Sequence, residues 1–200
     1  MLGGAPSFEG DLLIASTQPS GLATWLSGNV DPAIRQLRSA GLSASVNLTS
    51  QLQRFEKLEL ALGSDPLIGR MERETSENAG STLSIDLSGD VLNLDAARAI
   101  AALVTGQDEA DKIVADKVAA RLQLRKLVAL GVEAEQIDAI LRYADGRVEV
   151  ERLNVGDLAG ATLRLAGNFA GKADAPAAKG RVTISAADPA GLLGLVKERY

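Results

Sequence analysis

The chain has 200 residues, 46% apolar and 24% charged, with a formal net charge of −5. That is globular sequence, long enough to bury a core in one domain or two small ones. Its 21 basic residues are scattered among 26 acidic ones, and it contains neither cysteine nor histidine, so nothing points to nucleic acid, and disulfides, thiolate chemistry and imidazole catalysis are excluded.

Residues Met1 to Ser7 lack the basic and apolar regions of a signal peptide, and no run reaches the roughly 18 apolar residues of a membrane span. Ser7 to Ser16 then reads as a strand, with Leu12 and Ile14 on one side, running into a short helix from Pro19 through Gly21, Leu22, Trp25 and Leu26. A second short helix is expected at Asp31, with Asp31 as N-cap, Pro32 first, Ile34 and Leu37 on one face, and Gly41 as the stop. The period then changes to two: Leu42, Ala44, Val46 and Leu48 alternate with Ser43, Ser45, Asn47 and Thr49. Phe55 to Leu62 is the next strand, Gly63 to Pro66 a turn, Leu67 to Arg73 a strand and Glu72 to Gly80 a polar loop. Leu83, Ile85 and Leu87 alternate again up to Gly89-Asp90, before a helix with Ala97, Ile100, Leu103 and Val104 at helical spacing.

Gly106 to Lys112 is a charged linker and the best internal boundary. The grammar then repeats. Val118, Ala120, Leu122 and Leu124 form one face; Ile137, Ala139, Leu141 and Tyr143 form the next, with Ile140 out of phase. Asp145-Gly146 precedes Val148 and Val150 and tolerates the positive φ of a type I′ turn, the strongest hairpin signal in the chain. Leu163 and Leu165 follow, then an Ala-rich stretch from Gly171 to Gly180, then Val182 and Ile184. A last helix repeats the opening phrase as Pro189, Gly191, Leu192, Leu195 and Val196. Short helices thus close modules built of strands. Three parts are expected: 1–41 as the end of a preceding module, 42–106 as one β module and 107–200 as another, the whole an excerpt of a longer protein.

About ten strands with one apolar face and too few helices to cover it pose a physical problem, because exposed apolar surface costs about 25 cal/mol per Å². The face must meet a second sheet, close on itself, or meet something that is not protein. Only 3% of residues are aromatic, which disfavours an outer-membrane barrel with aromatic girdles. A sandwich is one solution. The other is a mainly β, curled antiparallel sheet whose apolar face lines a groove, with aliphatic walls suited to acyl chains.

From Leu122 to Gly167 the order is more particular: an alternating strand, a strand over Ile137 to Leu141, the Asp145-Gly146 hairpin, a returning strand over Val148 to Leu153, and Leu158-Ala159-Gly160 opening the next strand. This order resembles the AsmA family of bacterial envelope proteins, as do the helices led by Pro and Gly at Leu22 and Leu192. The family's usual Gly-Gly is Gly160-Ala161 here. The resemblance implies a non-enzymatic periplasmic β-groove protein, anchored in the inner membrane by a segment outside this chain. It also implies a part in outer-membrane assembly and in phospholipid transport between the two membranes.

On that reading Leu42, Ala44, Val46, Leu83, Ile85 and Leu87 line the groove in the first half, and Val148, Val150, Leu163, Leu165, Val182 and Ile184 in the second. The expected partner is phospholipid or another acyl-chain lipid. The competing reading is a structural or adhesive β-module of the cell envelope with a closed protein core.

Other candidates reduce to solvated surface. Glu149 and Glu151 share a polar strand face with Arg147 and Arg152 nearby, and Glu133 and Glu135 lead into Ile137, with no sign of a dry cleft. Asp108, Glu109 and Asp111 lack the spacing and glycine of a calcium loop. Ser16, Ser43 and Ser45 have no histidine to activate them. Trp25, the sole tryptophan, is expected to be a packing anchor, with a membrane-surface contact as the other reading. No catalytic residue, metal site or cofactor is expected.

Overall fold

The computed structural model describes residues 7–28, 30–63, 66–76, 78, 80–105, 115–170, 177–191 and 194. The linker at Gly106 to Lys112, the acidic group Asp108, Glu109 and Asp111, and the apolar side chains expected on the last helix lie outside them. Ten strands form one sheet: β1 (Phe8–Ser16), β2 (Ala40–Leu48), β3 (Leu52–Leu62), β4 (Leu67–Ser76), β5 (Gly80–Asn93), β6 (Lys117–Ala129), β7 (Val132–Ala144), β8 (Arg147–Leu158), β9 (Ala161–Ala170) and β10 (Ala177–Ala186). They lie in sequence order from one edge to the other, and the sheet is open, since β1 and β10 each have a single neighbour. Among the described residues three helices can be delimited: α1 (Pro19–Ser27), α2 (Pro32–Arg35) and α3 (Leu94–Thr105).

The fold is mainly β, as expected, but the sheet is mixed. Every neighbouring pair is antiparallel except β5 and β6, which run parallel with α3 in the connection between them. A parallel pair needs such a crossover because its second strand must start at the same end as the first. Asn93 caps α3, its Oδ1 accepting from the Ala96 N–H at 2.9 Å. Asp116 fixes the register on arrival: its carboxylate accepts from Ser81 N and Oγ at 2.7 and 2.9 Å, and its own N–H donates to Ser81 Oγ at 3.1 Å.

Three tight turns join β6 to β9. Leu130-Gly131, Asp145-Gly146 and Ala159-Gly160 each place two consecutive residues at positive φ, the signature of a type I′ hairpin. Asp95, in the first turn of α3, accepts from the N–H groups of Leu130 and Gly131 at 2.8 and 3.1 Å, tying the first of these turns to the helix.

Several local expectations are corrected. Glu72 to Ser76 is strand, not loop, because β4 continues its pairing with β5 as far as Ser76 opposite Gly80. Strand β5 runs past Gly89-Asp90 to Asn93, and the Ala-rich stretch is already strand from Ala177. Helix α2 ends at Arg35, and Gly41 lies inside β2 instead of stopping it. Asp31 does cap α2 through Ala33 N at 2.8 Å, and Ile34 and Leu37 are both buried. Among the described side chains of α1 the buried ones are Pro19 and Ala23, one turn apart, not Leu22 and Trp25. The small Ala23 side chain lets α1 lie against α2 and α3, and that turns Trp25 outward, 81% exposed. The packing-anchor reading of Trp25 is therefore wrong.

Candidate functional site

Residues directly opposite each other on paired strands share a face of the sheet. One row can be followed without a break across the whole sheet. It runs Gly10, Val46, Phe55, Met71 and Ile85 over the first five strands, then Ala120, Leu141, Val150, Gly167 and Gly180 over the rest. Every member is apolar or glycine. The row one residue over, from Glu9, Asn47 and Arg54 through Glu72 and Ser84 to Arg142, Glu149, Asn168 and Lys179, is polar except at Ala119. Alternation in the sequence has become two chemically opposite faces.

All the residues expected to line a groove fall on the apolar face. Leu42 lies opposite Leu60, Ala44 opposite Leu12, and Leu83 opposite Val118. Leu87 continues through Leu122, Ala139, Leu153 and Leu165 to Val182, while Val155 leads through Leu163 to Ile184. Val148 sits between Tyr143 and Phe169. The structure gathers the first-half residues Ala44, Val46 and Leu87 into one buried cluster, with Leu42 and Ile85 packed against it. The second half is more open: Val150 is buried, Leu163 and Leu165 are half-buried, and Val182 and Ile184 are 58% and 55% exposed. Leu58, Leu67, Leu124, Ile137 and Ala139 belong to the same face and are buried; the period-two signal that found the others also marks these.

The apolar face is folded toward itself. Strands β3 and β5 share no hydrogen bonds, yet their Cα atoms come within 8 Å of each other. In a flat sheet alternate strands stand about 9.6 Å apart. Leu58 and Leu87 lie in one buried cluster on either side of Gly69, so the bend closes over the apolar side. Register shifts between Phe55 and Leu58, where Lys57 takes positive φ, and between Val150 and Leu153 insert extra residues and sharpen the curl. They also explain why inward residues are three apart there and not two. At one end the helices close the face through a cluster of Leu37, Leu62 and Ala96.

The polar face is laced by ion pairs across strands. Arg54 pairs with Glu72, Arg125 with Asp90 and Lys126 with Glu133, while Arg152 meets Asp138 at 2.9 Å and Arg70 meets Asp86 at 3.5 Å. Glu149 and Glu151 are held by Arg142 at 3.8 and 3.6 Å, not by Arg147 or Arg152. The hydrogen bond from Arg125 holds the Asp90 carboxyl below the usual carboxylate range, and the Glu72 hydrogen bond raises the Arg54 guanidinium. Among the described residues no group of acidic side chains is arranged to hold a metal ion. Ser45 Oγ donates to Asp11 at 2.9 Å and Ser16 Oγ accepts from Gln18 N at 3.2 Å, so both hydroxyls serve local structure. No helix among the described residues is long and apolar enough to cross a membrane. No family model, curated protein or solved structure matches the chain.

Proposed function

We propose that this is a non-enzymatic acyl-chain-binding protein of the bacterial envelope, whose curled sheet offers its apolar face to phospholipid. The observation that carries the reading is the unbroken apolar row from Gly10 to Gly180 on an open sheet. A face of that breadth, left uncovered at Val182 and Ile184, has the chemistry of a surface that meets hydrocarbon. Together with the resemblance of Leu122 to Gly167 to AsmA-family sequence, it supports a place on the periplasmic side, anchored in the inner membrane by a segment outside this chain. It supports a role in outer-membrane assembly and phospholipid transport in the same way.

A second reading has its own support. Val46 and Leu87 are only 3% and 8% exposed, so the middle of the face is already covered by protein side chains. A closed β-module of the envelope, structural or adhesive, would be built the same way. Lipid extraction and native mass spectrometry of the purified chain separate the two. Stoichiometric co-purified phospholipid, or uptake of phospholipid added in detergent, is expected for the groove; neither would occur with a closed core.

A further inference from the structure

We propose that Arg73 and Gln53 form a headgroup subsite at the end of the sheet away from the helices, and that the lipid held there carries a net negative charge on its phosphate headgroup. The inference rests on the groove reading above. Arg73 lies on the apolar face: on β4 it follows Leu67, Gly69 and Met71 at period two, and it stands opposite Leu83 on one side and Gln53 on the other. Its row continues through Val118 to Tyr143 and contains no other charged residue. The nearest acids in sequence, Glu72 and Glu74, point to the other face, where Glu72 is already paired with Arg54.

The Arg73 side chain is left without an acceptor. Its Nε is shielded from water with no hydrogen-bond partner, and no ion pair among the described residues includes it. A desolvated guanidinium donor is costly when unmatched and binds strongly when an anionic oxygen reaches it. Gln53, directly opposite and exposed, adds a neutral amide donor within reach of the same oxygen. No carboxylate in the row could receive the ammonium of a zwitterionic headgroup, so the subsite favours a head with net negative charge.

The next steps inward are apolar, Phe55 opposite Met71 and then Leu58 opposite Gly69. From Arg73 to Leu67 the strand runs about 20 Å. That exceeds the roughly 15 Å that one leaflet's hydrocarbon occupies, so a chain whose head sits at Arg73 finds an apolar path for its whole length.

The test is competition. The full chain is incubated with equal amounts of phosphatidylglycerol and phosphatidylcholine of matched acyl chains in detergent, and bound lipid is counted by native mass spectrometry. The parent protein should favour phosphatidylglycerol by about tenfold. Arg73→Gln and Arg73→Met should bring the ratio to near one with total lipid retained; Met matches the apolar neighbours, so at least one variant should fold. Arg147→Gln, an exposed charge on the polar face, should leave the preference intact. Equal uptake of both lipids by the parent, or a preference surviving in either Arg73 variant, would overturn the subsite while the groove stands. Uptake of neither lipid would overturn both.

Discussion

A Cβ placed on Gly69 would lie 1.9 Å from the carbonyl oxygen of Asp86 on the neighbouring strand. The backbone is so sharply turned there that the side-chain direction runs into β5 instead of out of the sheet. This is also where Leu58 and Leu87 approach across β4 into one cluster. Gly69→Ala must therefore push two strands apart at the point of tightest curl. We expect it to destabilise the protein by at least about 2 kcal/mol, measured as a drop in the urea midpoint. An unchanged midpoint would mean that the curl relaxes without cost.

Gly146 offers the opposite situation. Its φ is +72° and nothing lies within 4 Å of a would-be Cβ, so only backbone strain opposes a side chain. Gly146→Val should cost about 1–2 kcal/mol without disturbing packing. Denaturation should shift its midpoint and leave the slope unchanged, and equal stability of parent and variant would contradict the tight turn.

The Ser81–Asp116 clamp gives a pH signature. Hydrogen bonds from Ser81, the backbone N–H first, lower the Asp116 carboxyl below its usual 3.8. A depressed carboxylate contributes stability that is present above its unfolded pKa and lost as pH falls through the folded one. The parent should thus lose stability to acid below about pH 4, and Asp116→Asn should remove part of that dependence while lowering stability at neutral pH. Melting curves from pH 2 to 6 for both proteins check the sign.

Much of this fold was legible because one signal, alternation, survives in nearly every strand. Leu42 to Leu48 and Leu83 to Leu87 show by their alternation alone which side faces in. The Asp145-Gly146 turn was equally plain, whereas Leu130-Gly131 and Ala159-Gly160 make the same turn without a residue before the glycine that announces it. The parallel pairing of β5 with β6 could not be read, since alternation is blind to strand direction. Strand ends at Glu72 to Ser76 were hidden by their polarity, because paired backbone does not need apolar side chains. Arg73 was legible too: counting from Leu67 in steps of two places it on the apolar face, but the expectation for Leu67 to Arg73 is only a strand, with no face assigned.

Trp25 is the sole tryptophan and 81% exposed, with Leu22 beside it at 42%. Its fluorescence should report water, with emission at long wavelength and ready quenching by iodide. If α1 rests on a membrane surface, anionic vesicles should shift the emission to shorter wavelength and protect it from iodide. No spectral change with vesicles would leave Trp25 facing water and argue against membrane contact by this helix.

The sharpest separation of groove from closed core comes from aspartate placed at graded depth on the apolar face. Val46 is 3% exposed, Leu165 and Ile85 are half-buried, and Ile184 is 55% exposed. At Val46 an unpaired carboxylate is buried under either reading and should cost several kcal/mol, on the order of the whole stability of a domain. Ile184→Asp at the open edge should cost less than about 1 kcal/mol. The half-buried positions decide the question. If lipid covers them, Leu165→Asp and Ile85→Asp should stay folded without lipid but take up much less phospholipid than the parent. If protein covers them, both should fall close to Val46→Asp in stability, and the parent should carry no lipid to lose. Measuring the thermal midpoint and bound phospholipid on the same samples keeps the two effects apart, since a Leu165→Asp or Ile85→Asp variant that stays folded but loses lipid the parent carries is an outcome that a closed core cannot produce.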